Sequence, residues 1–181
     1  MNHITEPLRT AVKMADNGEQ RRAIYEDAIT QTINNIAQMF KLKRDEVALL
    51  ITDSQQQMLR FVAPAALRSA GTIPLNDSNS IAARALREHK GNISNMLSGV
   101  RHARVFELIR TGEGSPKPIQ KMMTAPLFFN DEPVGVIQLS RKGTTAAEAG
   151  PDFSLDDLAR LQAISDNVAP LLGKLYKSLR L

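Results

Sequence analysis

Residues 119–142 read IQKMMTAPLFFNDEPVGVIQLSRK, two apolar runs on either side of Asn130-Asp131-Glu132-Pro133. A turn signal between two such runs predicts a β-hairpin. In the second run Val134, Val136 and Gln138 alternate with Gly135, Ile137 and Leu139. Successive strand residues point to opposite faces, so both faces of the hairpin carry apolar side chains. A sheet wetted on one side would alternate apolar with polar, and this pattern instead predicts cover on both sides. The hairpin therefore belongs at the centre of a sheet. Function turns on whether one of the two covers leaves room for a ligand.

Beyond the hairpin, a loop over Gly143 to Pro151 leads to Ser154, which caps a helix with Asp157 as the second half of a capping box. Leu158, Leu161, Ser165, Val168, Leu172, Leu175 and Leu179 form a near-complete a/d seam with one polar lapse at Ser165. Ile164 and Leu171 widen the stripe toward the sheet, and Pro170 predicts a kink. A seam of this length spans about 33 Å of helix, against ~17–20 Å for a typical strand. Leu172, Leu175 and Leu179 are therefore expected to project past the domain and to be bare in a monomer. The expected cover is the same helix of a second copy, joined by Ile29, Ile33 and Ile36 and with Val168 in the interface, which makes a homodimer. The competing cover is residues 4 to 15 of the same chain.

Before the hairpin, residues 1–18 are weakly patterned, end in the turn signal Asp16-Asn17-Gly18 and read as an extension to a single domain over 19–181. Glu19 to Phe40 is helical, with Ile29, Ile33, Ile36 and Phe40 on one stripe. EVALLIT (46–52) and MLRFVA (58–63) form a second hairpin around a polar turn, and Ile73-Pro74-Leu75 is an edge strand. Asp77, Ser78 or Asn79 caps a helix over Ser80 to His89, closed by Gly91. Asn92 to Leu97 is a strand, Val100 to Ile109 a helix, and Gly112 to Pro118 a loop.

The chain has 181 residues, 43% hydrophobic and 23% charged, the composition of an ordinary globular domain. It has no cysteine, which excludes disulfides, thiolate metal sites and cysteine nucleophiles. No run approaches the ~20 apolar residues of a membrane span, and the N-terminus lacks a signal pattern; a cytoplasmic protein is expected. The net charge is +4, but the basic residues are scattered and aromatics make up 4%, without the interleaving of a base-stacking surface. Nucleic acid is therefore a disfavoured partner. No phosphate loop, dinucleotide fingerprint or nucleophile elbow is present. His3, His89 and His102 show no ligand spacing. Asp156-Asp157 reads as a pair placed for the helix dipole.

The order of elements is helix, hairpin, edge strand, helix, strand, helix, loop, hairpin and helix. With Ala125-Pro126-Leu127, Pro133 to Leu139 and Phe153-Ser154-x-x-Asp157-Leu158, the chain resembles a GAF domain over about Glu19 to Leu172. The resemblance implies an α+β fold with a central antiparallel sheet of about six strands. The N- and C-terminal helices would cover one face, and short helices and loops would roof a pocket on the other. It implies a non-enzymatic sensory or regulatory module that binds an unidentified small molecule, transmits a signal through dimerising terminal helices, or both. Output would pass through an effector protein in trans or by self-association. The alternatives are a cyclic-nucleotide-binding member, an enzyme of this fold and a pure protein-interaction module. It specifies no cofactor. The sulfoxide reductases of this fold need cysteines. The cyclic-nucleotide members carry Asn-Lys…Phe-x-x-x-Asp-Glu; Lys142, Phe153 and Asp157 match it, while Arg141 and Leu158 depart.

Candidate pocket residues are Ser78, Asn79 and Ser80 at a helix start, His102, Arg104 and Phe106 in the roof, and Thr124 and Gln138 on the floor. Met96, Met122 and Met123 are candidate lining. Each has a simpler reading: caps, an exposed basic face, core filling. Gln138 is the informative one, because a polar group inside an apolar hairpin needs a partner.

Overall fold

A computed structural model describes residues 2–14, 20–53, 55, 57–97 and 117–179. Six strands form one antiparallel sheet: β1 (Val47–Thr52), β2 (Met58–Ala63), β3 (Thr72–Pro74), β4 (Asn92–Ser94), β5 (Ile119–Phe129) and β6 (Glu132–Lys142). Their order across the sheet is β3-β2-β1-β6-β5-β4, which puts β6 and β1 in the middle. Four helices accompany them: α1 (Asn2–Met14), α2 (Arg21–Met39), α3 (Ile81–Arg87) and α4 (Leu155–Leu179).

The β5–β6 turn is two residues, Asn130 and Asp131, with φ of 54° and 61°. Both are left-handed, as a type I′ turn requires, and Asn and Asp tolerate that conformation best after glycine. Glu132 and Pro133 already belong to β6, paired with Phe129 and Phe128. All six residues of β1 are buried, which is why VALLIT shows no alternation.

One face of the sheet presents Leu49, Ile51, Met123, Ala125, Leu127, Ile137 and Leu139 to α1, α2 and α4. The other presents Ala48, Leu50, Leu59, Phe61, Met122 and Val136 to Ala82 and Leu86 of α3, with Leu67 and Leu97. Both faces are covered, as the hairpin pattern predicts.

Segment 1–18 is more than an extension. In its described part, Ile4, Leu8 and Ala11 of α1 are buried in the same core as the sheet. The Asn35 amide of α2 also donates to the main-chain oxygen of His3, 2.7 Å away.

The expected exposure of the terminal leucines does not hold. Leu172 and Leu175 are 0% and 3% exposed within the single chain. Two things cover them. β5 and β6 have 11 residues each, about 36 Å at ~3.3 Å per residue, so the sheet is as long as the seam. α1 packs on α4 and α2, and supplies the rest. Ile29, Ile33, Ile36 and Val168 lie in that core too, so none of these six side chains is left bare for a second copy. The side chain of Leu179 lies outside those described. Pro170 sits inside α4, which continues unbroken through it.

Helix ends correct two more expectations. Ser80 itself is the N-cap of α3, its hydroxyl accepting from Ala83 N at 3.1 Å. The left-handed closing residue is His89 (φ 51°), two positions before Gly91. His89 N donates to Leu86 O and Lys90 N to Ala85 O, a Schellman motif. At Gly91 a Cβ would stand 2.9 Å from Leu158 Cδ1 and 3.2 Å from Thr124 O, so this glycine serves close packing between α4 and the sheet. The expected capping box of the last helix is present: Asp157 N donates to Ser154 Oγ at 3.1 Å and Ser154 N to Asp157 Oδ2 at 2.9 Å. The helix expected over Val100 to Ile109 lies outside the described residues.

Candidate functional site

Thr124 and Gln138 are cross-strand partners in the centre of the sheet, on the face away from the three long helices. Thr124 is 0% and Gln138 4% exposed. Gln138 Nε2 donates to Thr124 Oγ1 at 3.2 Å and lies 3.3 Å from Met122 Sδ. Their neighbours on this face are mixed: Ala48 pairs with Gln138, and Val136 and Leu50 stand one pleat away, while Asn92 pairs with Thr124 on its other side and Ser140 follows Gln138 along β6. The amide thus satisfies one end on Thr124. The Thr124 hydroxyl, which accepts that bond, keeps its own proton to donate.

Ser80 borders the same layer and is buried, but its hydroxyl is committed to the α3 cap. Ser78 and Asn79 are exposed. Asn79 N donates to Asp77 Oδ1 at 2.9 Å, closing an Asx turn that leads into the cap. Met122 belongs to the face covered by α3 and Met123 to the face covered by the three long helices, as alternation requires. Met96 is 84% exposed and lines nothing in the core. His102, Arg104 and Phe106 lie outside the described residues. The structure therefore unites Thr124, Gln138 and Met122 and separates Ser78 and Asn79 from them.

The positions matching the cyclic-nucleotide pattern have structural work. Lys142 Nζ is 2.8 Å from Asp45 Oδ2, with both side chains about nine-tenths buried, and it also donates to Asp45 O at 3.0 Å. Asp157 caps α4. Phe153 lies beneath the guanidinium of Arg141, 4.9 Å from ring centre to Cζ. Among the described residues no group of three or more His, Asp or Glu is placed to hold a metal ion, and no helix is long and apolar enough to cross a membrane.

Three residues unremarked in the sequence meet elsewhere. Tyr25 of α2, Arg60 of β2 and Tyr176 of α4 close one end of the helical face, with Arg60 Nη2 donating to Tyr176 Oη at 3.2 Å. The sequence signal was slight: Arg60 is the polar member of MLRFVA, which reads equally well as a solvated position.

The GAF domain family model matches residues 25–172. No curated protein sequence matches the chain. Among solved structures, the GAF domain of a phosphoenolpyruvate-protein phosphotransferase from Acinetobacter is similar, with TM-score 0.61 and 14% identity over 98% of this chain and 96% of that one. The GAF domain of a phosphoenolpyruvate-protein phosphotransferase from Coxiella burnetii has TM-score 0.65 and 9% identity over 99% and 98%. The GAF domain of a two-component sensor histidine kinase from Bacillus halodurans has TM-score 0.55 and 20% identity over 80% and 93%. At these identities the likeness is one of fold.

Proposed function

We propose, because this chain belongs to the GAF domain family, that it is a non-enzymatic regulatory domain binding a small molecule over the sheet face floored by Thr124 and Gln138. The observation that carries the reading is the buried Gln138–Thr124 pair, a side-chain amide and a hydroxyl facing the layer that holds Ala48, Leu50 and Val136. Burying an amide costs roughly 1–3 kcal/mol for each polar group left unpaired. An apolar pair at the same positions would avoid that cost, so the polar pair is better suited to orienting a ligand than to holding the core.

The position of the pair also suits signalling. Thr124 faces the pocket layer, while its neighbours Met123 and Ala125 face the layer of α4. Gly91 lets Leu158 of α4 approach the main-chain oxygen of Thr124. A ligand that draws on Thr124 would shift β5 beneath α4, and α4 is the element through which a partner protein reads the change.

Native mass spectrometry on the purified protein and a Gln138→Leu variant tests this. The expected result is a small-molecule adduct on the wild type that the equally folded variant loses. Two results would overturn the reading: an adduct retained undiminished by the variant, or the absence of both adduct and thermal stabilisation across a metabolite panel. Robust turnover of any panel member would overturn the non-enzymatic part.

A further inference from the structure

A cleft of about 230 Å³ opens on the helical side of the sheet. Its walls are the first turns of α2 (Arg22, Tyr25 and Glu26), Arg60 of β2, Arg68 and Tyr176 near the end of α4. Three guanidinium groups meet one carboxylate. Glu26 Oε1 lies 3.4 Å from Arg22 Nε and 3.2 Å from Arg68 Nη1, so it answers the two outer arginines. Arg60, the inner one, has no carboxylate within ion-pair distance among the described residues.

Two buried polar atoms here have no hydrogen-bond partner among the described residues. Tyr25 is 5% exposed, yet its hydroxyl makes no hydrogen bond among the described residues. The Nε of Arg60 is buried and equally unpaired. Arg60 spends Nη2 on Tyr176 Oη, and its Cζ lies 5.6 Å from the centre of that ring. Tyr25 and Tyr176 stand edge to face, 6.0 Å apart. An orphaned phenol beside an orphaned guanidinium N–H is costly as a structural arrangement, since each lost bond forfeits the desolvation of its group. Both atoms are donors. Burial, with the adjacent Tyr176 phenol adding to it without reaching hydrogen-bonding geometry, pushes the Tyr25 phenol well above its usual 10, so it keeps its proton. The first turn of α2 adds to the positive field: it has no acidic residue, and its N-cap Gln20 makes no side-chain cap bond.

We propose that this cleft is a second ligand site, taking the carboxylate or phosphate group of a small anionic metabolite, with Arg60 and Tyr25 as its inner donors. The volume is below that of pockets for drug-sized ligands (about 300–1,000 Å³), which limits the ligand to a few heavy atoms beyond the anion. Arg supplies the planar fork that carboxylate and phosphate both fit. The site is separate from the Thr124–Gln138 face, across the sheet from it. An anion held between Arg60 and Tyr25 would fix the far end of α4 to β2 through Tyr176. That gives α4 a second input at the opposite end from Leu158.

The test is a titration of the intact protein with inorganic phosphate and, separately, with acetate, followed by NMR at the Arg60 Nε–Hε signal and the amides of residues 22–26. Saturable shifts in at least one anion are expected, and the better anion identifies the ligand class. Tyr25→Phe removes only the unpartnered hydroxyl, so the fold persists while affinity for that anion falls about tenfold or more, the worth of one hydrogen bond to a charged group. Arg60→Gln lowers it at least as far. Absence of a saturable shift in either anion overturns the proposal. So does affinity that Tyr25→Phe leaves unchanged.

Discussion

A Cβ built on Gly135 would stand 2.1 Å from the main-chain oxygen of Leu50 and 3.0 Å from Ile51 Cα. The two central strands cross so closely there that β6 has no room for a side chain. Gly135 has no left-handed φ; its role is proximity. Gly135→Ala must push β1 and β6 apart at the middle of the sheet. We expect a loss of at least ~1–3 kcal/mol, the range for overpacking, read as a lower urea midpoint at unchanged slope. A variant as stable as the wild type would show that the strands separate freely.

Lys142 and Asp45 form a buried pair that ties the end of β6 to the turn before β1. Lys142→Met keeps the aliphatic stem and removes the charge, leaving the Asp45 carboxylate buried without its ammonium. Breaking a buried pair from one side costs about 3–5 kcal/mol. Chemical denaturation should show that loss. A near-neutral result would mean that Lys142 is available for a ligand rather than committed to the fold.

Leu172 is fully buried among side chains of its own chain. Leu172→Ala should cost roughly 2–5 kcal/mol, as core truncations do. Because the lost contacts are intramolecular, the difference from wild type should be the same at low and high protein concentration. A difference that grows with concentration would return this leucine to an interface between subunits.

Glu148, on the loop after β6, accepts from Lys117 and Thr144, including Thr144 N at 2.8 Å. Those hydrogen bonds, the Lys117 ammonium foremost, hold its carboxyl down at about 2 from the ordinary 4.5. A depressed folded pKa stabilises the fold above the unfolded value. The contribution is therefore complete above about 4.5 and fades as pH falls toward about 2. An NMR titration of the Glu148 carboxyl should find its midpoint near the lower value, and Lys117→Met should move it up. A wild-type midpoint near 4.5 would refute the contact.

Most of the fold was legible from the sequence because it depends on local signals. The two-sided apolar pattern of Val134 to Leu139 requires cover on both faces whatever surrounds it. The Ser154–Asp157 box fixes a helix start within three residues. What escaped depends on lengths and on distant partners. Just after its first residue β5 carries Gln120 and Lys121, polar residues buried because Gln120 Nε2 donates to Gly143 O at 2.9 Å and Lys121 pairs with Asp152 at 2.7 Å. An average strand is too short a ruler for such a hairpin, and the error fell on Leu172 and Leu175. α1 buries Ile4, Thr5, Leu8 and Ala11, with Pro7 in the midst of them, and one polar residue among three apolar ones is too little to distinguish a core helix from a fraying end.

For the site, Gln138 was identifiable because an amide among β-branched neighbours violates the local pattern. Its partner Thr124 follows from hairpin register. Arg60 and Tyr176 are 116 residues apart, and nothing local in either segment indicates the other.

Both rims of the sheet are three-residue strands, β3 carrying Pro74 and β4 ending at Ser94. A foreign strand that tried to extend the sheet would find a ladder too short to register against, and on one side a residue that cannot donate. Of the two long apolar strands, β6 lies between β1 and β5, and β5 has β4 beside it along Met122 to Thr124. The fold thus keeps β6, its most central apolar segment, where another chain meets it only after the sheet opens, so colloidal lifetime should follow thermodynamic stability.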